Sequence, residues 1–310
     1  MITRYITTTE GLTEIEDYLP GCWVKVVNPT EKEITALVER FGMPLDFLTD
    51  PLDVDERARF EKDEGNTLIL IRSPRREPED AAIPYITLPI GIILTENLFI
   101  TVTLTEVDVI EEFLSGWVRN HDTRQRTRFV LQLCYRTALR YLRYLKEINR
   151  MTNQIERNLH RSTTNDLLLD LFNLQKSLVY FTTSLRSNSL MVEKFSYQRV
   201  LEMTDDEHDL YEEMVIENKQ ALEMANIYTS IITGITGTFA SIINNNVNVV
   251  MKLLTSITIL IALPTMVASI YGMNIPLPLQ QFPYAFIVVM GSAVSLSAAG
   301  LIVLIRWKVL

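Results

Sequence analysis

Along 248–269 the side chains able to do chemistry fall on one line. Asn248, Met251, Leu254 or Thr255, Thr258, Ala262, Thr265 and Ser269 recur at steps of three and four, the spacing that stacks side chains on one face of a helix. None of them is charged, so they offer no general acid, base or thiolate. A row of hydroxyls facing lipid would waste its hydrogen bonds, so the stripe should face a partner helix or water. Alternatively, each hydroxyl bonds the carbonyl four residues back, as Ser and Thr commonly do in apolar helices. The sequence leaves both readings open.

Chemistry of other kinds finds little support. His121, His160 and His208 lie far apart, without the spacing of a zinc site. Cys22 and Cys134 form no C-x-x-C pair and read as small buried hydrophobes. There is no P-loop, GxGxxG, nucleophile elbow or HExxH, so neither an enzyme nor an ATP-driven pump is expected, and no prosthetic group is implied.

The elements that must hold the stripe follow from the distribution of charge. The 310 residues carry 29 Lys and Arg against 38 Asp and Glu, and every acid lies at or before Glu223. Beyond 248 the only charges are Lys252, Arg306 and Lys308, leaving residues 1–248 with 26 bases, 38 acids and a net charge of −12. Such a body is poorly suited to nucleic acid or to an anionic membrane surface. Residues 253–271 and 283–305 are free of charge, and each is long enough to cross a bilayer core of about 30 Å as a helix. The loop 272–282 has no Lys or Arg, whereas basic residues flank the outer ends of both spans. The positive-inside rule therefore places both ends and the acidic body in the cytoplasm of a multi-pass protein of the cell membrane. Pro264 should release the Leu260 carbonyl and bend the first span. Gly291, Ser295 and Ala299 give the second span a small-residue packing face.

At the close of the first span stand Tyr271, Gly272, Met273 and Asn274, followed by Ile275 and Pro276. On this motif, its place in a two-span C-terminal hairpin, the run from Asn248 to Thr255 and the basic tail Arg306-Trp307-Lys308, the chain resembles the CorA family of magnesium channels and transporters. The resemblance implies a funnel-shaped homopentamer in which the first spans surround one pore. Gly272, Met273 and Asn274 would form the selectivity filter at its outer mouth. Mg²⁺ gives up its inner water reluctantly, so a ring of Asn274 carbonyls can accept hydrogen bonds from the hydrated ion. Taken alone, Asn274 reads as a helix cap before a proline turn. Matching positions make Asn248, Thr258 and Thr265 polar pore rings and Met251 and Leu254 an apolar constriction. Ala262 lines the pore where the family often places Met.

The expected architecture is an α+β domain over 1–123, a helical region and long stalk over 124–248, and a transmembrane hairpin over 249–310. Strands are expected at 2–7, 22–27, 66–72, 85–94 and 97–104. Thr30 and Glu33 form a capping box for a first helix, and a second helix is expected over 107–119. After 124 the pattern is helical, with breaks near 162–164 and 203–205. Ten bases within 124–161 are expected to face ten acids within 193–223, inside one subunit or between two. Residues 224–251 carry no charge, but their asparagines and glycines argue against a third span. Ile227, Ile231, Ile235, Phe239 and Ile242 instead make a seam near coiled-coil spacing, on which copies of the stalk pack, with flexibility at Gly234 and Gly237.

The resemblance also implies gating by cytoplasmic Mg²⁺ bridging carboxylates of neighbouring subunits. Asp50, in the turn Leu48-Thr49-Asp50-Pro51-Leu52, matches one such ligand. Its usual acidic partner on the stalk is replaced by Gly237, and Asp46, Asp53 and Asp55 stand near enough in sequence to substitute. The expected activity is passive Mg²⁺ uptake, with Co²⁺ or Ni²⁺ as further cargo. Transport of zinc or another transition metal is one alternative, and a membrane-tethered sensor or scaffold is another.

Overall fold

The computed structural model describes residues 1–9, 11–63, 65–118, 121–159, 165–197, 203–275, 277–278 and 282–306. His160, Arg161, Ser162–Thr164, Pro276, Trp307 and Lys308, which the sequence reading used, lie outside them. Seven strands build one sheet: β1 (Ile2–Thr8), β2 (Gly11–Ile15), β3 (Trp23–Val27), β4 (Arg59–Asp63), β5 (Asn66–Arg76), β6 (Tyr85–Leu94) and β7 (Phe99–Thr103). Their order is β2-β1-β3-β7-β6-β5-β4, and every pair is antiparallel except β3 with β7.

Both faces of this sheet are covered, which explains the unbroken apolar runs of its central strands. Neighbouring residues divide between the faces. Leu68 and Leu70 join Val24, Val26, Ile34, Leu37, Phe47 and Leu48 under helices α1 (Glu31–Phe41) and α2 (Asp46–Thr49). Ile69 and Ile71 join Trp23 and Phe99 on the other face, against Phe113 of α3 (Asp108–Leu114) and Phe129 of α4 (Arg126–Leu159). Trp23 donates its indole N–H to Thr101 Oγ1 at 2.9 Å, so its burial leaves no donor unpaired.

The two strands missing from the sequence reading, β2 and β4, are the edges of the sheet. Their sequences GLTEI and RFEKD are polar and largely exposed, because an edge strand needs no apolar alternation and is protected from further pairing by charge. The capping box is present: Glu33 N–H donates to Thr30 Oγ1, and Thr30 N–H to Glu33 Oε2. The second helix is shorter than expected, ending at Leu114, with Gly116 in the left-handed region just beyond it.

The long helices follow as α4, α5 (Asn165–Tyr197), α6 (Asp205–Tyr271) and α7 (Ala285–Arg306). Helix α6 stays helical through Gly234, Gly237 and Pro264. The chain divides into two compact units, Met1–Ile235 and Thr236–Leu310. Of the expected stalk seam, Phe239 is buried while Ile227 and Ile231 are exposed. The basic run on α4 meets acids nearer than those foreseen: Arg136 and Arg140 pair with Glu112 of α3, and Arg140 also with Asp108 at 3.3 Å. The acids of α6 nonetheless approach α4. Burial, together with the charges of Glu213 and Glu217, raises the phenol of Tyr135.

Gly91 on β6 sets the seat of the 3-10 turn Asp50–Leu52. A methyl there would lie 2.3 Å from Pro51 Cγ and 2.8 Å from its Cβ, and a proline ring cannot fold away. Gly91→Ala is expected to destabilise the Met1–Ile235 unit by about 1–3 kcal/mol, the usual range for overpacking. Thermal melting of the purified full chain checks this, and an unchanged melting temperature would refute the tight seating of Pro51.

Candidate ion pathway

The C-terminal unit holds the hydroxyl stripe, and its geometry decides which side of α6 is free. Ser256 is buried, and Leu260, Leu263, Pro264 and Val267 are half-buried. At 100° per residue these share one side of the helix. That side meets α7: a methyl on Gly300 would lie 3.0 Å from Leu263 Cδ1 and 4.0 Å from Leu260 Cδ2. On α7 itself Ala293 is buried and Ala285, Val289, Ser297, Gly300 and Leu304 are half-buried, whereas Gly291, Ser295 and Ala299 are exposed, so the expected packing face is displaced. Four-residue spacing marks a small face but not its partner; the leucines of α6 select the side with room for them.

Asn248, Met251, Leu254, Thr258, Ala262 and Thr265 are all exposed and lie on the side of α6 turned away from α7. Thr258 Oγ1 donates to Leu254 O at 2.8 Å and Thr265 Oγ1 to Ile261 O at 2.7 Å. The carbonyl-bonded reading of these hydroxyls therefore holds within one chain. It does not exhaust them: once the proton is committed to the helix, the oxygen lone pairs remain as acceptors. An acceptor is what the outward hydrogens of a cation's water shell require.

Helix α6 stops at Tyr271. Gly272 N–H donates to Ala268 O at 2.9 Å and Met273 N–H to Ile270 O at 3.3 Å. Gly272 is not among the glycines with positive φ, so the exit from the helix is not a left-handed glycine turn. Met273 and Asn274 are exposed. The Tyr271 hydroxyl donates to Pro278 O at 3.3 Å, tying the loop back to the helix end.

In the N-terminal unit Asp50 is already engaged. Its Oδ2 accepts from Arg59 Nη2 at 2.6 Å, and Arg59 also pairs with Glu56 and, at 3.6 Å, with Glu61. No sequence signal marks Arg59 for this role, since an arginine nine residues after an aspartate in a charged segment has many possible partners. Gly237 faces open space. Among the described residues no group of three or more His, Cys, Asp or Glu side chains could hold a metal. His121 is half-buried, its Nδ1 2.7 Å from Val118 O and its ring edge-on to Phe113, and His208 stacks on Tyr211.

Helices α6 and α7 contain 18-residue windows of mean hydropathy 2.1 and 2.3, long and apolar enough to cross a membrane. Residues 21–306 match the family described as CorA-like Mg²⁺ transporter protein. The chain is 27% identical over 280 residues to the cobalt/magnesium transport protein CorA of Methanocaldococcus jannaschii, covering 86% of this chain and 84% of that one. It is 22% identical over 281 residues to the magnesium transport protein CorA of Helicobacter pylori, covering 86% and 83%. The complete structure of the M. jannaschii CorA magnesium transporter superposes with a TM-score of 0.85 at 22% identity, covering 99% of this chain and 98% of that one.

The α6–α7 contact makes a direct prediction. Gly300→Leu must push against Leu263, whose Cδ1 lies 3.0 Å from the added Cβ, whereas a Cβ on Gly291 meets nothing within 4 Å. In detergent, Gly300→Leu is expected to lower the melting temperature more, by a cost of about 1–3 kcal/mol. The reverse order would show that α7 packs by its Gly291 face instead.

Proposed function

Because the chain belongs to the CorA-like Mg²⁺ transporter family, we propose that it carries Mg²⁺, and Co²⁺ with it, passively into the cell through a pore lined by α6. The observation that carries this reading is the exposed face from Asn248 to Thr265, turned away from α7 and bearing water acceptors without a single charge. Five copies arranged around one axis would bring that face together as stacked rings, leaving α7 outside against lipid.

An intact water shell presents hydrogens outward, and Thr258, Thr265 and Asn274 offer oxygens to them without displacing the water. Asn274, with Gly272 and Met273, forms the entry ring, where an amide carbonyl attracts a hydrated cation and gives an anion no charge to bind. Met251 and Leu254 narrow the inner end, and an apolar ring of small radius closes by losing its water. No motor is required. Each charge crossing about 100 mV gains about 2.3 kcal/mol, so a divalent ion gains twice that on entry.

Lys252 and Arg306 mark the cytoplasmic ends of the spans, putting both termini and the acidic body (1–123 and 124–248) inside and the hairpin (249–310) in the inner or plasma membrane. Asp50 is the candidate contact for regulatory Mg²⁺. The ion would have to compete with Arg59 for the same carboxylate, and the open position at Gly237 supplies no second ligand, so inhibition by cytoplasmic Mg²⁺ should be weak.

Purified protein in liposomes loaded with a Mg²⁺ dye, under an inside-negative potential, tests the proposal. Wild type should conduct. Asn274→Ala should lose about tenfold or more of the flux, each subunit giving up an acceptor worth about 1 kcal/mol, with assembly unchanged. Thr258→Val should lose less, since its proton already serves the helix. A correctly assembled wild type that passes no Mg²⁺ into a lumen initially free of Mg²⁺ would remove the channel reading and favour a tethered sensor.

A further inference from the structure

The N-terminal unit holds a cavity of about 810 Å³ between the β4–β6 end of the sheet and α5, and its charge is opposite to that of the body around it. Five cations line it, Arg57, Arg59, Arg72, Arg186 and Lys194, against the one carboxylate of Asp55. Arg59 is committed to Asp50, Glu56 and Glu61. The other four have no ion pair among the described residues.

Arg72 is the inner wall. All its N–H groups are taken by neutral acceptors: Nε by Thr87 Oγ1 and Ser184 Oγ at 3.3 and 3.0 Å, Nη1 by Val54 O at 2.8 Å and Glu56 O at 2.5 Å, and Nη2 by Thr87 O and Oγ1 at 2.9 and 3.0 Å. Its orientation is fixed while its charge has no counter-ion in contact. Burial depresses the guanidinium below its usual range, more than Tyr141 and the charges of Asp55, Asp53 and Glu56 restore it. A half-buried cation held only by dipoles favours an anion nearby. Arg57, Arg186 and Lys194 are exposed at the rim, and their side chains form no ion pair among the described residues. On the same helix as Arg186 and Lys194, about two turns before Arg186, the lining ends in Val179 and the 42% exposed ring of Tyr180.

We propose that this cavity binds a nucleoside di- or triphosphate, its phosphates held by Arg57, Arg186 and Lys194 in the field of Arg72 and its base against Tyr180. The volume falls in the range of small-molecule sites, about 300–1,000 Å³, and one end polyanionic with the other flat and apolar describes a nucleotide better than a free phosphate. Guanidinium and ammonium groups are the usual partners of phosphate oxygens. The site shares no residue with the pore face of α6, although Arg59 of its lining also holds Asp50, so its test does not depend on the transport reading.

The test is titration of the full-length protein in detergent with ATP, inorganic tripolyphosphate and adenosine, in chelator-containing buffer so that Mg²⁺ does not compete. ATP should bind most tightly and adenosine least. Arg186→Ala with Lys194→Ala should weaken ATP and tripolyphosphate by about tenfold or more, as loss of two charge-assisted contacts requires. Tyr180→Ala should weaken ATP alone. Lys176→Ala, on α5 but outside the cavity lining, should change nothing. The variants carry exposed side chains, and unchanged melting temperatures confirm their folding. No ATP binding, or binding unaffected by the cavity variants, overturns the proposal. Equal binding of tripolyphosphate and ATP overturns its assignment to a nucleotide.

Discussion

The approach of Leu263 to Gly300 governs the C-terminal unit. Lipid tails give two apolar helices no hydrophobic reason to associate, so close packing must hold them together. A glycine on α7 admits the leucine side chains of α6 at 3.0 and 4.0 Å from where its Cβ would stand. Once that side of α6 is used, the helical period dictates which side is left: the one bearing Asn248, Met251, Leu254, Thr258, Ala262 and Thr265. Uncharged oxygens on that side suit a cation that travels with its water. A carboxylate ring would hold a divalent ion more tightly and release it more slowly.

The N-terminal unit solves a different problem. Its sheet is buried on both faces, so its interior is mostly apolar, and a charge that enters it must be compensated. Lys25 illustrates the rule, with its ammonium 2.6 Å from Glu106 and 2.7 Å from Glu111. Burial opposes that charge, but the hydrogen bonds and charges of the two glutamates outweigh it and raise the ammonium above its usual range. Arg72 departs from the rule. It is fully hydrogen-bonded yet unneutralised, and it stands at the cavity where the other unpaired cations gather. In a body with a net charge of −12, such a concentration of positive charge is a local feature that bulk composition conceals.

Much of the chain was legible in its sequence because the signals were local. The central strands appeared as apolar runs, α1 as a capping box and the spans as uncharged stretches. What escaped lacked such signals. Strands β2 and β4 are edges with polar sequences. Arg136 and Arg140 found acids on α3, because ion pairing follows proximity in space and many acids were available in sequence.

By itself the sequence determined the class of elements and the two apolar spans, since periodicity and charge act over a few residues. Tertiary structure decided which side of α6 is covered, that α7 packs through Ala293, Ser297 and Gly300 and not through Gly291, that Asp50 is held by Arg59, and that dispersed cations converge on one cavity. Each of these depends on which surfaces fit when distant segments meet, and no local pattern encodes the shape of a partner.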